Sequence, residues 1–276
     1  MDDSFSILSL TAEEPCEEAK ERGKEVEVKH FVFEDLLDTQ EKLVCNCLAV
    51  NELFSVYHYL LRKDLRSLFS RKEELSLGCY LAYRGGSLFT FEDFNFKIHS
   101  LEEFSLLVEA VEVSSGSSFY FELCNLCELP ERTPHEQDVI LTLYATSLKR
   151  LPPSVHFDQI ADENREILKL AVRGNEKATE KLERELGERE TERLLAEFRT
   201  RPEELFDTCI LSTQNLYSII GIVTSVRKVS VLGKSLYSVG LFSEEVNLTV
   251  LAPTSVRVTD GDRIEVSGRM YGVAVF

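Results

Sequence analysis

SIIGIVTSVRKVSVLGKSLYSVGLF, residues 218 to 242, is the stretch on which the fold turns. Ile219 to Val229 is rich in β-branched residues and carries no helical stripe, so it reads as a strand. Gly233-Lys234 supplies a turn, and Leu236 to Phe242 reads as the return strand. Val246 to Leu251 and Arg263 to Val275 repeat the pattern, with Ser243-Glu244-Glu245 and Asp260-Gly261-Asp262 as separators. Short strands at this spacing predict a small barrel or sandwich over residues 213–276.

Working backwards from Thr213, the chain changes character. From Asp162 to about Phe206 it is helical and heavily charged. Gly174 and Gly187 read as C-terminal helix stops and Asn175 as the N-cap of the middle helix. That helix carries Ala178, Leu182 and Leu186 on a narrow apolar face. Glu180 with Arg184, and Glu185 with Arg189, have the favourable i,i+4 order. A third helix holds Leu194, Leu195 and Phe198, and Arg201-Pro202 breaks it. Residues 154–212 are therefore expected to be a charged helical connector, with the boundary marked by Leu151-Pro152-Pro153.

Residues 26–153 read as an α+β domain with a mainly antiparallel sheet. Val26 to Phe33 is its first expected strand. Leu53, Phe54, Tyr57, Leu60, Leu61, Leu65, Leu68 and Phe69 recur at three- and four-residue steps, which predicts an amphipathic helix capped by Asn51. Leu75 to Tyr83 alternates as a strand, Arg84-Gly85-Gly86-Ser87 reads as a hairpin turn, and the return strand starts at Leu88. Ser100-Leu101-Glu102-Glu103 fits a capping box, opening a helix with Leu101, Phe104, Val108 and Val111 on one face. Phe119 to Leu123 and Val139 to Leu148 are the last expected strands. Residues 1–25, with Glu13, Glu14, Glu17, Glu18, Glu21 and Glu25, read as an acidic arm or surface helix. No repeat at solenoid spacing is seen.

Two segments of the final quarter carry a resemblance. Tyr217-Ser218-Ile219-Ile220-Gly221-Ile222-Val223, followed by Gly261-Asp262-Arg263-Ile264-Glu265-Val266-Ser267-Gly268-Arg269, resembles an oligonucleotide/oligosaccharide-binding (OB) fold. In that family a first strand begins near a Gly and a late strand often reads Gly-Asp-x-Ile/Val-x-Val-x-Gly. The arrangement of the whole chain also resembles uncharacterised bacterial families that bring no activity with them. The resemblance implies an OB-like small β-barrel at the C-terminus.

Composition narrows the function. The net charge is −17, which opposes a general nucleic-acid coat. Residues 213–276 carry six basic and five acidic residues, so the rest of the chain holds −18. Trp is absent, Met occurs twice and Gln only at 40, 137, 159 and 214, a pattern compatible with a thermophilic source. The acidic start has no basic region followed by a long apolar run, and no apolar run approaches a membrane span. The expectation is a cytoplasmic protein without a membrane partner. Seven cysteines in such a chain predict no disulfide.

Motif chemistry is sparse. Cys124 and Cys127, in FYFELCNLCELP (119–130), supply two of the four ligands a structural zinc site needs. Cys45 and Cys47, Cys79 or His135 are the candidates for the rest, but Cys45-Asn46-Cys47 lacks knuckle spacing and His135 has no second histidine. A redox pair would need a helix N-terminus to lower a thiol pKa, and Glu128-Leu129-Pro130-Glu131 offers acid neighbours instead. The expectation is packed thiols at a strand end, with no metal and no cofactor. His30, His58, His99, His135 and His156 have no close ligand partner in sequence, and no Gly-rich phosphate loop, HExxH helix or GxSxG elbow occurs.

These observations lead to an α+β chain expected to be a non-enzymatic cytoplasmic binding or adaptor protein with a protein partner. The alternative is weak single-stranded nucleic-acid binding by the barrel. Its face would combine cations with stacking aromatics: Arg227, Lys228, Lys234, Tyr237, Arg269 and Tyr271. An enzyme with a site between domains is the third reading.

Overall fold

The computed structural model describes residues 3–63, 73–98, 100–101, 104–151, 162–200, 209–243 and 246–276. The chain is α+β, with two sheets and a separate helical cluster. The first sheet is antiparallel, in the order β1 (Lys24–Glu27), β2 (Glu41–Ala49), β3 (Phe54–Lys63) and β4 (Glu73–Tyr83). Two N-terminal helices, α1 (Asp3–Ile7) and α2 (Glu13–Arg22), pack on it. Phe5, Leu8 and Ala19 are buried in the main core, so this acidic segment is anchored rather than a free arm. Cys16 of α2 is joined to Cys79 of β4 by a disulfide, which corrects the expectation of none. The expected first strand stops at Glu27; Phe31–Phe33 is a short 3-10 turn.

The helix expected from Asn51 is β3 over its first part, and 64–69 lies outside the described residues. Every residue from Phe54 to Leu61 is buried. A central strand covered on both faces is apolar throughout, and such a run also satisfies a helical template. The His58 ring spans two elements: Nδ1 bonds Cys16 O of α2 at 2.9 Å and Nε2 bonds Ser76 Oγ of β4 at 2.8 Å. Asn51 caps no helix; its Oδ1 accepts from the backbone N–H groups of Leu53 and Phe54. The helix expected after Ser100 is likewise corrected. Leu107–Glu112 is a strand with alternating burial, and Glu102 and Glu103 lie outside the described residues.

Nine strands form the second sheet: β5 (Ser87–Phe96), β6 (Leu107–Glu112), β7 (Ser118–Leu123), β8 (Gln137–Arg150), β9 (Cys209–Thr213), β10 (Leu216–Val231), β11 (Lys234–Phe242), β12 (Asn247–Pro253) and β13 (Arg263–Ala274). β4 and β5 do not form the expected hairpin. β4 pairs with β3, whereas β5 pairs with β6 and β8. Gly86 between them serves a close approach: a Cβ there would meet Leu141 O at 2.4 Å.

The pairings close two rings. One runs β10–β11–β12–β8–β13 and back to β10. The other runs β5–β6–β7–β13–β8 and back to β5. Both share the long β8–β13 ribbon. In each ring every pair is antiparallel except the one by which a shared strand meets the other half: β12 with β8, and β7 with β13. Tyr144 of β8 and Tyr271 of β13 meet near the middle of the ribbon with ring centroids 4.5 Å apart. Gly268 lets the strands close there, since a Cβ would lie 2.2 Å from Tyr144 O. The four C-terminal strands appear as read, yet their ring borrows β8 from before the helices. Val239, Leu248 and Ile264 share the main core, while Ile222 is exposed.

Three helices follow in the charged segment: α3 (Asp162–Val172), α4 (Glu176–Leu186) and α5 (Glu188–Thr200). Asn175 caps α4 by accepting from Ala178 N, and Gly174 and Gly187 take positive φ of 91° and 88°. Leu168, Ala171, Ala178, Leu182, Leu194, Leu195 and Phe198 pack into a core of their own. No helix among the described residues is long and apolar enough to cross a membrane.

Candidate functional site

The expected binding face is only partly assembled. Arg227, Lys228 and Tyr237 lie together on the β10–β11 hairpin, where Lys228 is directly opposite Tyr237. Arg227 and Lys228 are exposed, and Tyr237 is half-buried against the core. The Lys234 ammonium at the hairpin tip donates to Ser9 O, and Asn51 Nδ2 donates to Ser230 O nearby. The tip is thus docked on the N-terminal segment. Arg269 is half-buried with Nη1 3.3 Å from Asn215 Oδ1. Tyr271 is 2% exposed, so its ring fills the core and offers no face to a base; this corrects its place in the expected site. One further pair was not anticipated. Ile222 and Phe242 face each other across β10 and β11, exposed by 39% and 46%.

A cleft of about 510 Å³ lies between β5 and the chain after β7, lined by Phe31, Glu34, Asp93, Phe94, Arg132 and His135. Asp93 takes φ of 53° at an irregularity in the β5–β6 pairing. Behind the wall, buried His30 bonds Thr133 Oγ1 at 2.9 Å. Burial lowers its pKa to about 4.

The densest chemistry is a thiol cluster. Cys45 and Cys47 sit two apart on β2, so both side chains leave the same face of the strand. Their sulfurs are 3.9 Å apart. Cys127, in the short 3-10 turn Leu126–Glu128, brings its sulfur to 3.6 Å from Cys47. All three sulfurs lie within 4.8 Å of one another. Cys124 is excluded: its buried thiol donates to Glu122 O at 3.9 Å. The Cys124/Cys127 pair is therefore split, and Cys45 and Cys47 align despite lacking knuckle spacing because a strand sets residues two apart on one face. Period-two spacing in an apolar strand was the available signal.

Local bonds hold the cluster in place. Tyr59 is opposite Cys45 on β3, and its hydroxyl donates to Cys124 O at 2.8 Å and accepts from Cys127 N at 3.3 Å. Tyr57, opposite Cys47, donates to Glu128 Oε1 at 3.0 Å and accepts from Arg84 Nη2 at 2.6 Å. Asn125 is buried and clips the turn to β13 by exchanging two bonds with Ala274. The trio shares its protons unequally. Hydrogen bonds from Cys127 and Cys45, with the charges of Lys24 and Arg84 nearby, outweigh burial and bring Cys47 down to about 4. Burial, then donation to its two neighbours, pushes Cys45 up. Cys127 is pulled down by Cys45 but raised further by Cys47 and by burial. One thiolate held by two thiols can bind a thiophilic ion or act as a nucleophile.

The chain matches no family model, no curated protein and no solved structure.

Proposed function

We propose that the chain is a non-enzymatic binding or adaptor protein that docks a protein partner on its β10–β11 ribbon. The observation that carries this is the Ile222–Phe242 pair, two large apolar side chains exposed side by side on the ribbon. Arg227 lies further along the same ribbon. Apolar centres with Arg at the edge are the composition of protein interfaces. The ring β10–β11–β12–β8–β13 supports the OB-like reading of this half, because that fold is a five-stranded barrel. A cytoplasmic location belongs to the same proposal. The Cys16–Cys79 disulfide is compatible with it in a thermophile, where intracellular disulfides persist, and the low Gln, Met and Trp content supports that source.

A second reading, weak binding of single-stranded nucleic acid, is favoured by exposed Arg227 and Lys228 beside Tyr237. One pair of experiments separates the two. Crosslinking of the tagged full chain in lysate should recover a protein that an Ile222→Ser/Phe242→Ser variant of equal melting temperature loses. Fluorescence anisotropy should show no appreciable binding of duplex DNA at physiological salt, as the charge of −17 requires. Duplex binding at micromolar Kd would sink the adaptor reading. Single-strand binding that disappears in Arg227→Ala/Lys228→Ala would put the second reading first.

A further inference from the structure

We propose that Cys45, Cys47 and Cys127 form a three-thiolate site for a thiophilic d10 cation, Zn2+ or Cu+. The geometry is the first support. With metal–sulfur bonds of about 2.3 Å, three thiolates around one ion sit roughly 3.8–4.0 Å apart, in tetrahedral or trigonal arrangement. The observed Cys45–Cys47 and Cys47–Cys127 separations of 3.9 Å and 3.6 Å already approach this, and the third, Cys45–Cys127, is within 4.8 Å. Sulfur-only ligation selects soft ions, so Mg2+ and Ca2+ are excluded as occupants.

The surroundings are the second support. The three thiols come from two elements that are distant in sequence, the β2 strand and the turn after β7, and both are fixed by buried bonds. Tyr59 holds the Cys127 amide, Asn125 holds the turn to β13, and Glu128 is held by Tyr57 and Asn125. Such supporting bonds orient ligands before an ion arrives. Cys45 and Cys127 are buried while Cys47 is half-buried, which gives an entry path on one side. On that side an ion keeps a fourth position for water, as Zn2+ requires; Cu+ is satisfied by three sulfurs. Lys24 and Arg84 offset the surplus negative charge of three thiolates around a mono- or divalent ion. Ligation needs all three sulfurs as thiolates, so affinity rises with pH. This inference does not depend on the adaptor reading, since the ribbon and the thiols are separate.

The test uses the full chain, reduced and stripped of metal. Co2+ serves as a spectroscopic stand-in for Zn2+, and Cu+ is delivered from a chelator of known affinity. The expected result is one equivalent bound per chain, with sulfur-to-cobalt charge-transfer absorption that Zn2+ abolishes, or one Cu+ withdrawn from the chelator. Cys47→Ser and Cys127→Ser should each weaken binding at least about 100-fold, while Cys124→Ser, also buried, should leave it within about 3-fold. Cys47 is only half-buried, so its variant retains the core, and its melting temperature checks the fold. Absence of charge-transfer absorption together with no uptake of Cu+ would overturn the proposal. Equal losses in Cys124→Ser and Cys127→Ser would do the same. Recovery of a Cys47–Cys127 disulfide that on reduction takes up neither ion would also count against it.

Discussion

Replacing Tyr59 with Phe removes one oxygen from the middle of the molecule. The Tyr59 side chain is fully buried, and its hydroxyl bridges β3 to the turn at Cys124–Cys127. Without it, Cys124 O loses a 2.8 Å bond and Cys127 N a weaker one at 3.3 Å. A buried polar group left without its partner costs about 1–3 kcal/mol. The carbonyl should lie in the upper part of that range and the amide in the lower, a total of roughly 2–4 kcal/mol. In a protein of this size 1 kcal/mol moves Tm by about 2–4 °C, so the shift is on the order of 4–16 °C. Tyr120→Phe is the control, because the Tyr120 hydroxyl bonds Glu109 at 2.6 Å in a part-exposed setting where water can replace it. Its cost should stay below about 1 kcal/mol. Urea unfolding with unchanged slope measures both. A Tyr59→Phe variant no less stable than Tyr120→Phe would refute the claim that this hydroxyl joins the two layers.

Acid should weaken the fold partly through His30. Its folded pKa of about 4 lies below the unfolded value near 6.5, so the unfolded chain binds the extra proton first. The contribution is complete above pH 6.5, falls as pH drops toward 4, and is worth roughly 1–3 kcal/mol. His30→Gln should flatten that part of the stability–pH curve relative to the parent, and superimposable curves would refute the assignment. A chain cut to residues 213–276 should fail to unfold cooperatively, because it lacks β8, the strand paired with both β12 and β13. Adding α4 and α5 should not rescue it, since their apolar residues pack with one another. A sharp thermal transition in the short fragment would show that four strands close without β8.

What could be read from the sequence was whatever local chemistry decides. The caps and stops around α4 needed only Asn175, Gly174 and Gly187, and all three act as read. Strands β10 to β13 were legible because their turns carry Gly233 and Gly261, both at positive φ. β3 was not legible, because burial on both faces erases the alternation that separates strand from helix. β6 was missed for a related reason: Val108 and Val111 fit a helical step, while Val108, Ala110 and Glu112 are what the strand buries. Glu112 has a local use there, accepting from the N–H groups of Ser114 and Ser115 to close the turn before β7. The role of β8 was invisible for another reason. Its pairing with β12 and β13 joins residues more than a hundred positions apart, and no local pattern encodes the partner of a strand.

The same long-range closure gives the thiol cluster its leverage. Cys45 and Cys47 belong to the first sheet, and Cys127 follows the last residue of β7 in the second by only a few positions. Around them the two layers are already tied by Tyr59 to Cys124 and by Tyr57 to Glu128. The second sheet is itself interlocked, since each ring needs the β8–β13 ribbon that the other also uses. A bond placed between Cys47 and Cys127 therefore does more than close a loop. It fastens the first sheet, through the turn and Asn125, to the end of β13 and hence to both rings. An ion bound at 100 times its Kd would add about 2.7 kcal/mol of stability by mass action alone. That addition should appear as a single higher melting transition of both sheets, because the turn and Asn125 tie the first sheet to β13 and the shared ribbon leaves neither ring free to melt first.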